Sequence, residues 1–359
     1  MSHDEQPDYN KQTPKEDWWR LADIPGPFHR RGKSTRVQRI SIAPIVRDDD
    51  LTSSFLPMAL SPSPKHYTTY VFTAGVSLAV IVFTGAAVRL TDAGLGCENW
   101  PACTDQRFTP EWELHGWIEF GNRLLSGVVA VAVCLAVLTA YRRIPKRPDL
   151  IRWAWGLVAG VAAQIVLGGI TVRIDLHPAF VGAHYLLSMV LLWNVVVLWF
   201  RSVADGPTAT AHVAAPTRRL GQLLVILATT VAVLGTVVTG TGPNGGDIDA
   251  ERLPFDFRSV VQTHSVAVWV FLATLIALAI LLFRDSQRLP TTETRPFHQD
   301  PRRLVGWLLA ASLLQGLIGY VQYFRGVPPL LVELHIVGAV SVWVLTIGVY
   351  LSMFTRAEK

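Results

Sequence analysis

The chain has 359 residues, of which 50% are hydrophobic and 16% charged, with a mean hydropathy of +0.34. That balance excludes an ordinary soluble domain and marks a polytopic membrane protein. The formal charge of +5 calls for no nucleic acid, because Lys and Arg fall mainly in alternate loops, and three cysteines allow at most one intramolecular disulfide.

Residues 1 to about 64 are polar and Pro-rich, with an acidic run at Asp48-Asp49-Asp50 and a basic run at Arg30, Arg31, Lys33, Arg36 and Arg39. No apolar stretch follows the basic run, so it is not a signal peptide. The segment reads as a disordered cytoplasmic tail. Binding of anionic lipid by its basic run is the less favoured reading.

Eight apolar segments follow, near 67–88, 116–140, 153–173, 179–200, 220–240, 259–283, 304–324 and 330–354. Each can cross a hydrocarbon layer that takes roughly 20 helical residues. Arg142, Arg143, Lys146, Arg147 and Arg152 follow the second segment. Arg201, Arg218 and Arg219 follow the fourth, and Arg284, Arg288, Arg295, Arg302 and Arg303 the sixth. By the positive-inside rule these loops, and both termini, are cytoplasmic.

Between the first two spans lies Thr91-Asp92-Ala93-Gly94-Leu95-Gly96-Cys97-Glu98-Asn99-Trp100-Pro101-Ala102-Cys103. Two cysteines on the outer, oxidising side can close a small disulfide loop. A zinc site would need more ligands than the sequence offers, and two free thiols are the remaining alternative. The disulfide is the favoured reading, as a structural staple more than a redox couple. Cys134 sits mid-helix as a small core residue.

His115, Glu119 and Arg123 are spaced four apart and share one helical face. One reading is a Glu119–Arg123 ion pair that neutralises two awkward charges. The other is a carboxylate beside a reacting centre, with Arg123 orienting it or binding a propionate.

The second half of the chain repeats the first. Gln164, Gly168, Pro178 and His184 recur as Gln315, Gly319, Pro329 and His335 at an offset of 151, and Gly85–Thr91 recurs as Gly235–Thr241 at 150. Identities in step at one offset indicate duplication. The expected fold is all-α: eight transmembrane helices as two tandem four-helix bundles, placed the same way up. The expected divisions are 1–64 for the tail, 65–203 for the first half, 204–217 for a cytoplasmic linker and 218–359 for the second half.

His184, His264 and His335 each open a span near its outer end. Ionisable groups inside a span are costly and usually functional. His264 and His335 can approach one flat cofactor from opposite sides, and neutral imidazole suits haem iron. Small residues beside them, Ser265 and Ala267, and Gly338, Ala339 and Ser341, leave room for a macrocycle. His177, in a short outer loop, is assigned to solvent.

Over about 67–354 the chain resembles the haem A synthase family. Gly94-Leu95-Gly96-Cys97, Trp100-Pro101-Ala102-Cys103 and Ile118-Glu119-Phe120-Gly121-Asn122-Arg123 carry the resemblance, together with His184, His264 and His335. It implies oxidation of the C8 methyl of haem O to a formyl group, giving haem A, in a plasma-membrane protein with haem O synthase and cytochrome oxidase assembly factors as partners. It implies haem b between His264 and His335, substrate haem iron at His184, Glu119 as the essential acidic residue, and Cys97 and Cys103 as the outer-loop pair. One departure stands out. Many members carry a histidine where this chain has Asn122, so His115 is expected as the replacement ligand, with His184 alone as the alternative. Two other classes compete: a non-catalytic dihaem electron-transfer protein, and a haem transporter.

Overall fold

The computed structural model describes residues 62–286 and 297–357. The expected tail, up to residue 61, lies outside the described residues. Among the described residues, eight helices are long and apolar enough to cross a membrane. They are α1 (Pro64–Leu90), α2 (Leu114–Arg142), α3 (Pro148–Arg173), α4 (Pro178–Ser202), α5 (Ala215–Thr241), α6 (Phe257–Ser286), α7 (Pro301–Phe324) and α8 (Pro329–Ser352). In hydrocarbon the backbone must satisfy its own hydrogen bonds, and a continuous helix does so. The chain is a multi-pass, all-helical membrane protein.

Most helices begin earlier than the apolar runs suggest. Six of them, α1, α3, α4, α5, α7 and α8, carry Pro in the first turn. There it loses no hydrogen bond, and its fixed φ suits the helix. Ser63 caps α1 by accepting from the His66 N–H, and Asp300 caps α7 by accepting from the Arg302 N–H. These polar first turns stand outside the apolar stretch and so escape a hydropathy reading. Helix α8 ends earlier, at Ser352, because the chain then enters a strand. That strand, β2 (Phe354–Ala357), pairs antiparallel with β1 (Thr208–Ala211) in the expected linker.

Within the first half α1 packs on α2 and α4, and α3 packs on α2 and α4, which sets α2 and α4 diagonally. The second half repeats this with α5 to α8, setting α6 and α8 diagonally. The halves meet through α4 against α5 and α8, and α1 against α8. A buried hydrogen bond from Trp343 Nε1 to the Met189 carbonyl, 2.8 Å, crosses that seam. The α3–α4 and α7–α8 turns share a device. Asp175 and Leu176 in one, and Gly326 and Val327 in the other, have positive φ.

The larger packed core lies toward one end of the bundle, and a smaller cluster of Cys97, Cys103 and Phe120 toward the other. The larger core's buried apolar residues run from Tyr67 to Val82 on α1, Val129 to Ala140 on α2, Leu150 to Leu157 on α3 and Met189 to Leu198 on α4. In the second half they run from Leu224 to Ala228, Phe271 to Leu282, Leu304 to Leu308 and Val340 to Ile347 and Val349. This is the end that carries the basic loops. His184, His264 and His335 all lie beyond it, toward the other end.

Candidate functional site: three imidazoles and a stapled outer loop

The three histidines occupy equivalent places. His184 and His335 stand six residues after Pro178 and Pro329, and His264 seven after Phe257. Each ring turns its Cε1–Nδ1 edge to a glycine on the preceding helix. A Cβ built on Gly168 would stand 3.3 Å from Cε1 of His184, one on Gly235 3.4 Å from that of His264, and one on Gly319 3.1 Å from that of His335. Glycine lets the imidazole lie this close without displacement, the approach being tightest at Gly319.

All three Nδ1 atoms are sealed from solvent without a hydrogen-bond partner among the described residues. The ring of His264 lies toward the Val231 carbonyl and that of His335 toward the Gln315 carbonyl, short of hydrogen-bond geometry. A metal-ligating histidine usually directs its second nitrogen at such a carbonyl. The main chain at two of these positions is pinned alike. Gln164 Nε2 donates to the His184 carbonyl at 3.0 Å, and Gln315 Nε2 to that of His335 at 2.6 Å.

The fourth such place, on α2, holds Asn122. Its amide stands 3.7 Å from a Cβ built on Gly85, and its Oδ1 accepts from Thr84 Oγ1 at 2.7 Å. His115 is exposed in the first turn of α2. Seven residues separate the two, roughly 10 Å along the axis. The geometry therefore groups Asn122, and not His115, with the three imidazoles.

Above the first half lies the outer loop. Cys97 and Cys103 form a disulfide with Cα atoms 4.4 Å apart, buried with Phe120. The loop crosses the start of α2 so tightly that a Cβ on Gly96 would stand 2.4 Å from the His115 carbonyl carbon. That approach accounts for glycine in the Gly94-Leu95-Gly96-Cys97 motif.

Glu119 and Arg123 bind this loop to α2. Glu119 is buried. Its Oε2 accepts from the Cys97 N–H at 2.8 Å, and its Oε1 from Arg123 Nε at 3.1 Å and Nη2 at 2.5 Å. Arg123 Nη1 donates to the carbonyls of Asn99 at 2.8 Å and Ala102 at 3.2 Å. Of the two readings of Arg123, this favours orientation of the carboxylate over capture of a propionate, since its donors are spent inside the protein. Trp100 reaches from the loop onto α3, its ring 2.9 Å from a Cβ built on Gly169, next to the glycine facing His184. In the sequence Asn122 is noted only as a departure, Trp100 only as part of a motif and the glycines only as repeat identities, and none of them is placed in the site. The recurrence of Gly85, Gly168, Gly235 and Gly319 at matching offsets is the signal that finds them. His177 caps α4 by accepting from the Ala179 N–H at 3.3 Å, and Cys134, expected in the core, instead lies exposed on α2.

Residues 68–243 match the family model COX15-CtaA, described as cytochrome oxidase assembly protein. The chain is 35% identical over 136 residues to a heme A synthase of Geobacillus kaustophilus (strain HTA426), covering 37% of this chain and 42% of that protein. It is 34% identical over 106 residues to a heme A synthase of Geobacillus thermodenitrificans, covering 29% and 33%. With a heme A synthase of Bacillus cereus (strain 03BB102) the identity is 27% over 151 residues, 41% and 48% of the two chains. The matches span less than half the length of these curated relatives.

Proposed function

From the match of residues 68–243 to the COX15-CtaA model and the similarity to heme A synthases, we propose that the chain is a haem A synthase: an oxidoreductase that converts the C8 methyl of haem O to a formyl group, giving haem A. In this reading it resides in the cell membrane with both termini cytoplasmic, near haem O synthase and cytochrome oxidase assembly factors. The observation that carries the proposal is the diagonal pair His264 and His335, each seated on a glycine beyond the end of the packed core.

The residues present fit haem b in the second half. Two imidazoles with sealed, unpartnered Nδ1 atoms stand on diagonal helices. When bound there, held by His264 and His335, haem b would supply one-electron chemistry. The protein's part is to hold both rings. Gly235 and Gly319 admit them, and Gln315 pins the main chain at His335.

The first half, with His184 opposite the Asn122 amide, offers one imidazole where the second half offers two. Such a site suits a substrate that must enter and a product that must leave. It disfavours the dihaem electron carrier, which needs two firmly held haems. Glu119, fixed by three N–H groups, supplies negative charge or a proton acceptor as positive charge develops on the oxidised methyl. Two successive two-electron oxidations, each passing its electrons to an external acceptor and adding one oxygen atom at the carbon, take the methyl to a hydrated aldehyde, which loses water to give the formyl group. The disulfide loop and Trp100 limit access of water from above.

Co-expression with a haem O source, followed by pigment extraction, tests the reading. A formyl-shifted pyridine haemochrome spectrum is expected from the wild type. Glu119→Gln should abolish it while the purified protein keeps haem b. Haem O left unconverted by the wild type would defeat the proposal, and full conversion by Glu119→Gln would remove Glu119 from it.

A further inference from the structure

At the opposite end of the first half, four guanidinium groups gather around one carboxylate. Arg147 makes a bidentate pair with Asp149, Nε to Oδ1 at 2.8 Å and Nη2 to Oδ2 at 3.0 Å. Arg201 Nη1 reaches the same Oδ2 at 3.3 Å, and its guanidinium lies 5.2 Å from the centre of the Trp153 ring. Arg143, on the α2–α3 connection, and Arg356, on β2, complete the group, and each interacts electrostatically with Arg147 and Asp149. Among the described residues no other carboxylate pairs with these four.

This is more than a basic loop. Arg143 and Arg147 are 5% and 6% exposed, like buried core residues. The Nε atoms of Arg143 and Arg201, and the hydroxyl of Tyr67, which is 0% exposed, are buried without hydrogen-bond partners. Burial holds the guanidinium pKa of Arg143 and of Arg356 below the usual range. The neighbouring Arg147 adds to this at Arg143, and Arg201 at Arg356. Positive charge out of water is costly unless it is paired, and unmade hydrogen bonds add to that cost. Asp149 neutralises one of the four charges.

The position says what kind of anion can help. The cluster lies at the ends of α2 and α4 and the start of α3. Beside it Trp155 Nε1 donates to Tyr141 Oη at 3.0 Å, and both rings are half exposed, as in an aromatic belt at a membrane surface. Ile144, in the same connection, is also exposed. Basic pockets between membrane helices on the cytoplasmic side receive lipid head groups. We propose that Arg143, Arg147, Arg201 and Arg356 form a binding site for a phosphate group, carried by an acidic phospholipid of the adjoining leaflet.

The test uses the full-length protein, delipidated in detergent, with its Tm followed during titration. The probes are dioleoyl phosphatidylglycerol, dioleoyl phosphatidylcholine and inorganic phosphate. Phosphatidylglycerol should raise the Tm in a saturable way, and phosphatidylcholine should not. The Arg143→Gln/Arg201→Gln double variant should lose that shift, whereas Arg302→Gln/Arg303→Gln, on another basic connection, should keep it. Should the double variant fail to fold, Arg356→Gln alone decides, with a right-shifted titration expected. A shift with inorganic phosphate alone would keep the anion site and overturn its assignment to lipid. Equal shifts from both lipids, no shift from any probe, or an unaltered shift in the cluster variants would overturn the site itself.

Discussion

Gly319 and His335 form a fitted pair: a methyl group on the glycine would stand 3.1 Å from Cε1 of the imidazole. A larger side chain must push the ring aside. On the proposed ligation of haem b by His264 and His335, Gly319→Val should therefore cost the purified protein its Soret band, to the extent seen with His335→Ala. Gly316→Val is the control. It lies on the same helix, and nothing stands within 4 Å of a Cβ built there, so it meets no clash and gains slightly in helix propensity, by roughly 0.3 kcal/mol. A full Soret band in Gly319→Val would break the link between glycine and ligand.

Arg123 ties Glu119 to the disulfide loop, with both side chains mostly buried. Arg123→Gln leaves a buried carboxylate with one donor, the Cys97 N–H. Breaking a buried pair in this way costs about 3 kcal/mol. The loop should open more often, and dithiothreitol should reduce Cys97–Cys103 several-fold faster, measured by thiol alkylation over time. An unchanged reduction rate would mean that the loop is held by other contacts.

Asp149 is the counter-charge for Arg147 and Arg201. Asp149→Asn removes it and leaves buried cations, and should lower stability in detergent by about 3 kcal/mol. Glu111→Gln, at the exposed Arg107–Glu111 pair, should change stability by well under about 1 kcal/mol. Similar Tm values for the two variants would show that Asp149 bears no special burden.

The hydrogen bond from Trp343 to the Met189 carbonyl joins α8 to α4. Trp343→Phe keeps most of the apolar contact and deletes the donor. A loss of about 1 kcal/mol is expected, somewhat more if the carbonyl stays buried and unpaired. Chemical denaturation in detergent would read it, and an unshifted midpoint would rule the bond out as a tie between the halves.

Much of this architecture is legible in the sequence because hydrocarbon permits few solutions. Eight apolar runs became eight helices, and Cys97 and Cys103 became the disulfide. Helix starts were drawn too late at residues such as Pro148 and Pro301, since polar, Pro-led turns carry no hydropathy signal. The β1–β2 pair was missed because Thr208–Ala211 is short and finds its partner some 145 residues away. The site was legible only in part. A count of histidines finds His184, His264 and His335, yet it turns attention to His115 and away from Asn122. What defines these four places is the glycine opposite, and that contact joins residues on different helices.

Because the tightly packed apolar residues sit at one end of the helices, assembly and loading can be separate events. The zipped end can bring all eight spans together in the bilayer before the proposed haem sites, nearer the other end, are filled. A pigment molecule then has to part only side chains near that other end, and the base that keeps the spans in register is left undisturbed.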